Sequence, residues 1–172
     1  MLIWITGISA SGKSTIAKRL YKVIKKRCKN TIFLDGDTFR DLNNNDLKYT
    51  LKDRNTNAQR ITKFCKYFVD QNINVICAAN LTSQKYRNWC RDNIKGYYEI
   101  FIDVPLEILV KRDFKNLYKK ALKGKVKNVV GVDIPFKYPK SPNLILDNSK
   151  SKNQIKNLVE LILKKSKFFK QK

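Results

Sequence analysis

One stretch limits what this chain can fold into more than any other. Gly7-Ile8-Ser9-Ala10-Ser11-Gly12-Lys13-Ser14 fits G-x-x-x-x-G-K-[ST] and follows directly on an apolar run, Leu2-Ile3-Trp4-Ile5. The run is β-branched and aromatic, as in a strand buried on both faces. After it, Ile16, Ala17, Leu20, Val23 and Ile24 recur at helical spacing. Strand, glycine loop and helix together make a cradle for phosphate. Gly7 and Gly12 let the backbone curl until successive N–H groups converge, at the positive end of the following helix. Lys13 brings a mobile point charge for the β- and γ-phosphates, and the Ser14 hydroxyl is a hard oxygen ligand suited to Mg²⁺. A Gly/Ser-rich turn could match by chance, but would carry neither the strand before it nor the helix after it. The expected nucleotide contacts are Gly7, Ser9, Ala10, Ser11, Gly12, Lys13, Ser14 and Thr15.

The rest of the chain alternates strand and helix patterns. A helix is expected over 14–28, with Lys25, Lys26 and Arg27 in its last turn, where cations suit the dipole. A second strand is expected at 31–34, delivering Asp35-Gly36-Asp37 at its end. Residues 38–52 are polar and read as a short helix and a loop, and 53–71 is helical through Ile61, Phe64, Cys65, Phe68 and Val69. Strands follow at 75–80 and 98–104, with a helix over 86–94 between them. Pro105 suits the start of a helix reaching about Phe114. Residues 115–132 are rich in lysine, poor in apolar positions and hold Gly124 and Gly131, which predicts a mobile segment. Pro135, Pro139 and Pro142 stiffen the connection to a last strand at 144–146. Ser151-Lys-Asn-Gln154 then has the pattern of a capping box for a final helix with Ile155, Leu158, Val159 and Ile162 on its apolar face. Such alternation predicts an α/β fold, a parallel five-stranded sheet with helices on both faces. Ligands of such sheets lie beyond the carboxyl ends of the strands, so Gly7–Ser14, Asp35–Asp37 and Asn80–Ser83 should share one cleft.

Composition narrows the function. The 172 residues are 42% hydrophobic, which suits one domain with a real core. Histidine is absent, so no His base, His-bound metal or Ser-His triad exists in this chain. Cys28, Cys65, Cys77 and Cys90 are widely spaced and read as reduced thiols of a cytoplasmic protein. The apolar start lacks a basic leader, and the run Ile73–Leu81 is too short to span a bilayer, so no membrane partner is expected. A net charge of +23 favours weak attraction to polyanions. The lysines are spread along the chain with no basic block interleaved with aromatics, so no specific nucleic-acid partner is expected. An anionic small molecule is.

A phosphate loop serves motors, switches and kinases alike. Many ATPases end a core strand in an acid that backs Mg²⁺; here the third strand ends Ala78-Ala79-Asn80. The carboxylates are instead Asp35 and Asp37, ahead of a region holding Arg40, Arg54 and Arg60. Taken singly these would be a polar turn and solvated helix faces. Beside a phosphate loop they form a kinase site, with carboxylates for a hydroxyl proton or Mg²⁺ and arginines for an anionic acceptor.

Over nearly its whole length the chain resembles the adenylylsulfate (APS) kinase family. The matching motifs are GISASGKST at 7–15, LDGDTFR at 34–40, DRNTNAQR at 53–60, IDVPLEILVKRDFKNLYKKALKGKVKN at 102–128 and VGVDIPFKYPKSPNL at 130–144. The resemblance implies a P-loop kinase that moves the ATP γ-phosphate to the ribose 3′-hydroxyl of a modified nucleotide, with Mg²⁺. By position it implies Lys13, Asp35 and Asp37 as catalytic groups, with Asp37 the first choice for the hydroxyl proton, and Ser14 and Asp37 as metal ligands. Arg40, Arg54, Asn57 and Arg60 would hold the acceptor and Tyr49 would stack on its base. Arg112 would pack on the donor adenine, and Lys115 and the segment to Val132 would form a closing lid. A homodimer is compatible with this. Family members usually carry Phe-Thr-Gly near the end of the lid, whose Phe completes an aromatic sandwich; here Val129-Val130-Gly131 stands instead. Asn80-Leu81-Thr82-Ser83 also departs from the family's Ser-Pro stretch, and the N-terminal extension of many members is not seen. A related branch phosphorylates cytidine diphosphoramidate, and a pyrimidine needs less stacking area. The altered pocket therefore leans to that acceptor over APS.

Overall fold

A computed structural model describes residues 1–113, 116–150 and 154–168. Five parallel strands, β1 (Leu2–Thr6), β2 (Thr31–Asp35), β3 (Asn74–Ala78), β4 (Tyr97–Asp103) and β5 (Leu144–Asp147), lie in the order β2-β3-β1-β4-β5. β1 is central and wholly buried because its residues serve both faces. Ile3 and Ile5 point with Ile76, Ile100, Ile102 and Leu146 into a core closed by α1 (Lys13–Arg27) and α7 (Ile155–Ser166). Leu2 and Trp4 point with Val75 and Cys77 to the opposite face, covered by α3 (Leu51–Asp70) and α4 (Gln84–Asn93). The period-two alternation of a strand thus splits one apolar run between two cores. No described helix is long and apolar enough to cross a membrane.

The short helix and loop expected over 38–52 are present, with the helix starting two residues earlier, and one other stretch holds a helix that was not expected. Gly36–Leu42 forms α2, because the Asp35 side chain caps it by accepting from Asp37 N. α3 begins at Leu51, where the Thr50 hydroxyl accepts from Asp53 N. The unexpected helix lies in the lysine-rich segment. α5 (Leu106–Arg112) leads into it, and Leu117–Leu122 forms α6 inside it. Tyr118 is fully buried and Ala121, Val129 and Val130 are buried with it. Asp113 starts α6 by accepting from Leu117 N and Lys119 N. These few apolar side chains suffice because each is placed in the core, which their low density along the chain concealed. Phe114, Lys115 and Ser151 of the expected site and capping box lie outside the described residues.

Candidate active site

At the carboxyl ends of β1, β2 and β3 the three polar strand ends meet as expected. Trp4 Nε1 donates to Ala79 O (3.0 Å), and Leu81 N donates to Thr6 Oγ1 (3.2 Å), which ties the end of β3 to that of β1. A Cβ on Gly36 would lie 3.1 Å from Ala79 Cβ, so a side chain here would crowd the end of β3. The result is direct contact between two motifs distant in sequence: Ser14 Oγ donates to Asp35 Oδ2 at 2.5 Å. Hydroxyl and carboxylate side by side are hard oxygen donors, the kind Mg²⁺ takes from a protein while phosphates and water supply the rest.

The phosphate loop is held by partners it could not find locally. Gly12 has φ 92° and caps α1, and Ala10 also has positive φ (62°). The Lys13 ammonium arches back over the loop to Ile8 O (2.9 Å). Tyr118 Oη donates to Ser9 O (3.0 Å), and burial with Asp113 nearby pushes its phenol up to about 12, so it stays a donor. On the other side Asn148, just past β5, donates from Nδ2 to Ser11 O (2.8 Å). Two buried side-chain oxygens in this region, Ser11 Oγ and Asn80 Oδ1, have no hydrogen-bond partner among the described residues.

The residues expected to hold the acceptor come from α2, α3 and the turn between α6 and β5. Arg40 and Arg54 both stack on the half-exposed Tyr49 ring, their guanidinium carbons 4.8 and 5.4 Å from its centroid. Arg40 also donates to Leu47 O and Lys48 O (3.2 Å each). Arg54 Nε donates to Tyr49 O (2.9 Å) and Nη2 to Asn128 O (2.8 Å). Burial, and then the neighbouring Arg40 charge, lower the Arg54 pKa from its ordinary value. Asn57 lies one turn beyond Arg54 on α3, within reach of the same face. Arg60 instead forms an exposed ion pair with Asp46 (2.6 Å). The turn is pinned by Asp133, which accepts from Asn128 N and Val129 N (2.6 Å each); these bonds hold its carboxyl below the usual range.

Residues 1–147 match the adenylylsulphate kinase family. The chain belongs to that family. It is 40% identical over 164 residues to the cytidine diphosphoramidate kinase of Campylobacter jejuni, covering 95% of both chains. It is also 40% identical over 170 residues to the adenylyl-sulfate kinase of Bacteroides thetaiotaomicron, covering 96% of this chain and 84% of that one. Among solved structures, the Mycobacterium tuberculosis APS kinase CysC in complex with AMPPNP and APS superposes with a TM-score of 0.82 at 30% identity, covering 94% of this chain and 96% of that one. The P-loop kinase fold is thus shared across the whole sheet.

Two expected site residues have partners that the sequence did not suggest. Val129 is only 3% exposed and packs in the α1/α7 core, so its side chain is committed to the interior and not to a base-binding surface. Arg112 spends its guanidinium on the carbonyls of Asn148, Ser149 and Lys150 (2.6–3.0 Å), which leaves it bracing the loop after β5. Phe136, the ring nearest in sequence to the missing family Phe, stacks on Phe101 (5.6 Å, 19°). Asn148, Tyr118 and Asp133 went unnoticed in the sequence as site-building residues. Tyr118 and Asp133 lie within the quoted family motifs; nothing local marks Asn148.

Proposed function

We propose that this kinase transfers the γ-phosphoryl group of ATP to the ribose 3′-hydroxyl of a cytidine nucleotide bearing a diphosphoramidate. Such an activity would serve the making of capsular phosphoramidate groups in the cytoplasm. The observation that carries the choice is the half-exposed Tyr49 ring, with no second ring stacked on it among the described residues. Tyr49 offers one face system already flanked by two guanidiniums, Val129 is buried, and Phe136 is engaged by Phe101. A purine gains most from being sandwiched, with stacking worth about 1–3 kcal/mol per base, while a pyrimidine loses less when one wall is absent.

In this reading the amides of Gly7–Ser14 and the Lys13 ammonium hold the triphosphate, and Arg40 and Arg54 hold the anionic tail of the acceptor. Ser14 and Asp35, already in contact, would hold Mg²⁺, which when bound offsets the charge on the transferring phosphoryl group. Asp37, two residues along and at the start of α2, is the carboxylate left to orient the 3′-hydroxyl and accept its proton. Loose phosphoryl-transfer transition states ask mainly for positioning and charge, which these residues supply.

An orthodox adenylyl-sulfate kinase is the second reading, supported by equal identity to the Bacteroides enzyme and by the fold shared with the APS-bound mycobacterial kinase. Rates with both acceptors, at saturating ATP and Mg²⁺, separate the two. We expect the higher kcat/KM with cytidine diphosphoramidate; a large preference for APS would replace this proposal with the second reading.

A further inference from the structure

Asn148 is 6% exposed and makes a hydrogen bond through every polar group it has. Its Nδ2 donates to Ser11 O (2.8 Å), its Oδ1 accepts from Gln154 Nε2 (3.0 Å), its carbonyl accepts from Arg112 Nη1 (2.6 Å) and its N–H donates to Asp103 O (3.3 Å). The donor and acceptor on either side fix which way its amide points. A Cβ built on Gly12 would collide with Asn148 Nδ2, so the side chain lies directly beneath the loop's second glycine. The Ser11 carbonyl and the Gly12 N–H belong to one peptide plane, and all peptide bonds of the described chain are trans. In a trans peptide these two groups point in opposite directions. A donor that draws the Ser11 carbonyl toward β5 therefore turns the Gly12 N–H the other way, to the side on which the loop would gather phosphate.

We propose that Asn148 is a positioning residue for the donor phosphates: it sets the Ser11–Gly12 peptide plane, and Arg112 and Gln154 hold it in place to do so. No local feature of the loop replaces it. Gly12, free of a side chain and at φ 92°, could let this plane rotate once the bond to Ser11 is lost. The inference rests on the reading of Gly7–Ser14 as the triphosphate site, and it concerns the donor alone.

Isothermal titration with MgATP and with inorganic tripolyphosphate, which carries phosphates and no base, tests it. Asn148→Leu keeps the volume and removes the donor without adding charge; Asn148→Asp keeps the shape and reverses the polarity toward Ser11 O. Each should weaken tripolyphosphate and ATP by about tenfold, the usual consequence of losing one buried hydrogen bond. In steady state the KM for ATP should rise about tenfold, with kcat reduced less and the acceptor KM within about twofold. A merely structural loss would instead lower the active fraction and leave both KM values alone. Should Asn148→Leu fail to fold, Gln154→Leu loosens the same side chain from outside and should cost about two- to threefold in tripolyphosphate affinity. Unchanged affinity in a folded Asn148→Leu, or in Gln154→Leu where the first does not fold, overturns the proposal. If the unsubstituted protein bound neither ligand, the reading of the loop itself would fall first.

Discussion

The donor and acceptor sides of this cleft are held together in different ways. On the proposed donor side one short contiguous motif holds nearly all the groups assigned to the nucleotide, and distant residues (Tyr118, Asn148) grip its carbonyls. On the acceptor side the groups come from α2, α3 and the turn after α6, and they are bonded to one another across the gap: Arg54 joins Tyr49 O to Asn128 O, and Asp133 fastens Asn128 and Val129. A contiguous loop keeps its chemistry when the rest of the fold drifts. An assembled surface changes with any member, so acceptor identity can diverge while the phosphate chemistry stays.

The largest effect should come from the donor side. Lys13→Ala removes the mobile charge and should cost about 10²–10³ in kcat, as the loss of a transition-state donor does. The fold should survive, since the Lys13 amine bonds the loop's own Ile8 carbonyl. A wild-type rate in that variant would remove the contrast altogether. Next is Arg54→Ala, which should raise the acceptor KM by about 10- to 100-fold, the range for a charge-assisted hydrogen bond, while the KM for ATP moves little. If both KM values rose together, the Arg54 link to Asn128 would couple the two sides, and they would be one site rather than two. The smallest effect is on stability. Val129→Phe restores the family's residue type, but the position is buried, so overpacking should cost about 1–3 kcal/mol. Thermal unfolding would read this as a fall of about 2–12 °C. A variant with unaltered melting and improved activity on APS would show that the side chain does reach the acceptor.

The donor half was legible because its information is local. The motif, its flanking strand and the helix that follows lie within Met1–Arg27, and the structure keeps them in that order. The same holds for Asp35 and Asp37, which a strand end places and a short cap fixes. The acceptor half was read less well. Tyr49, Arg40 and Arg54 were anticipated and do come together. The burial of Val129 and the helix within residues 116–132 were not, because each depends on what packs against it. A valine between glycines and lysines looks the same from the sequence whether it faces a ligand or a core.

By itself, then, the sequence determined the strand–loop–helix at its start, the parallel alternation, the presence of Lys13, Ser14, Asp35 and Asp37 at motif spacing, and the family. These follow from periodicity and from residue types at fixed spacing, both of which are properties of a few neighbouring residues. Tertiary structure alone decided that Ser14 touches Asp35, that Val129 turns inward, that Arg112 braces the loop after β5, and that Asn148 meets Ser11 across 137 positions of chain. The physical reason is the same in each case. A side chain's partner is set by which strand ends the sheet order β2-β3-β1-β4-β5 brings together, and that order is a result of packing the two faces of β1.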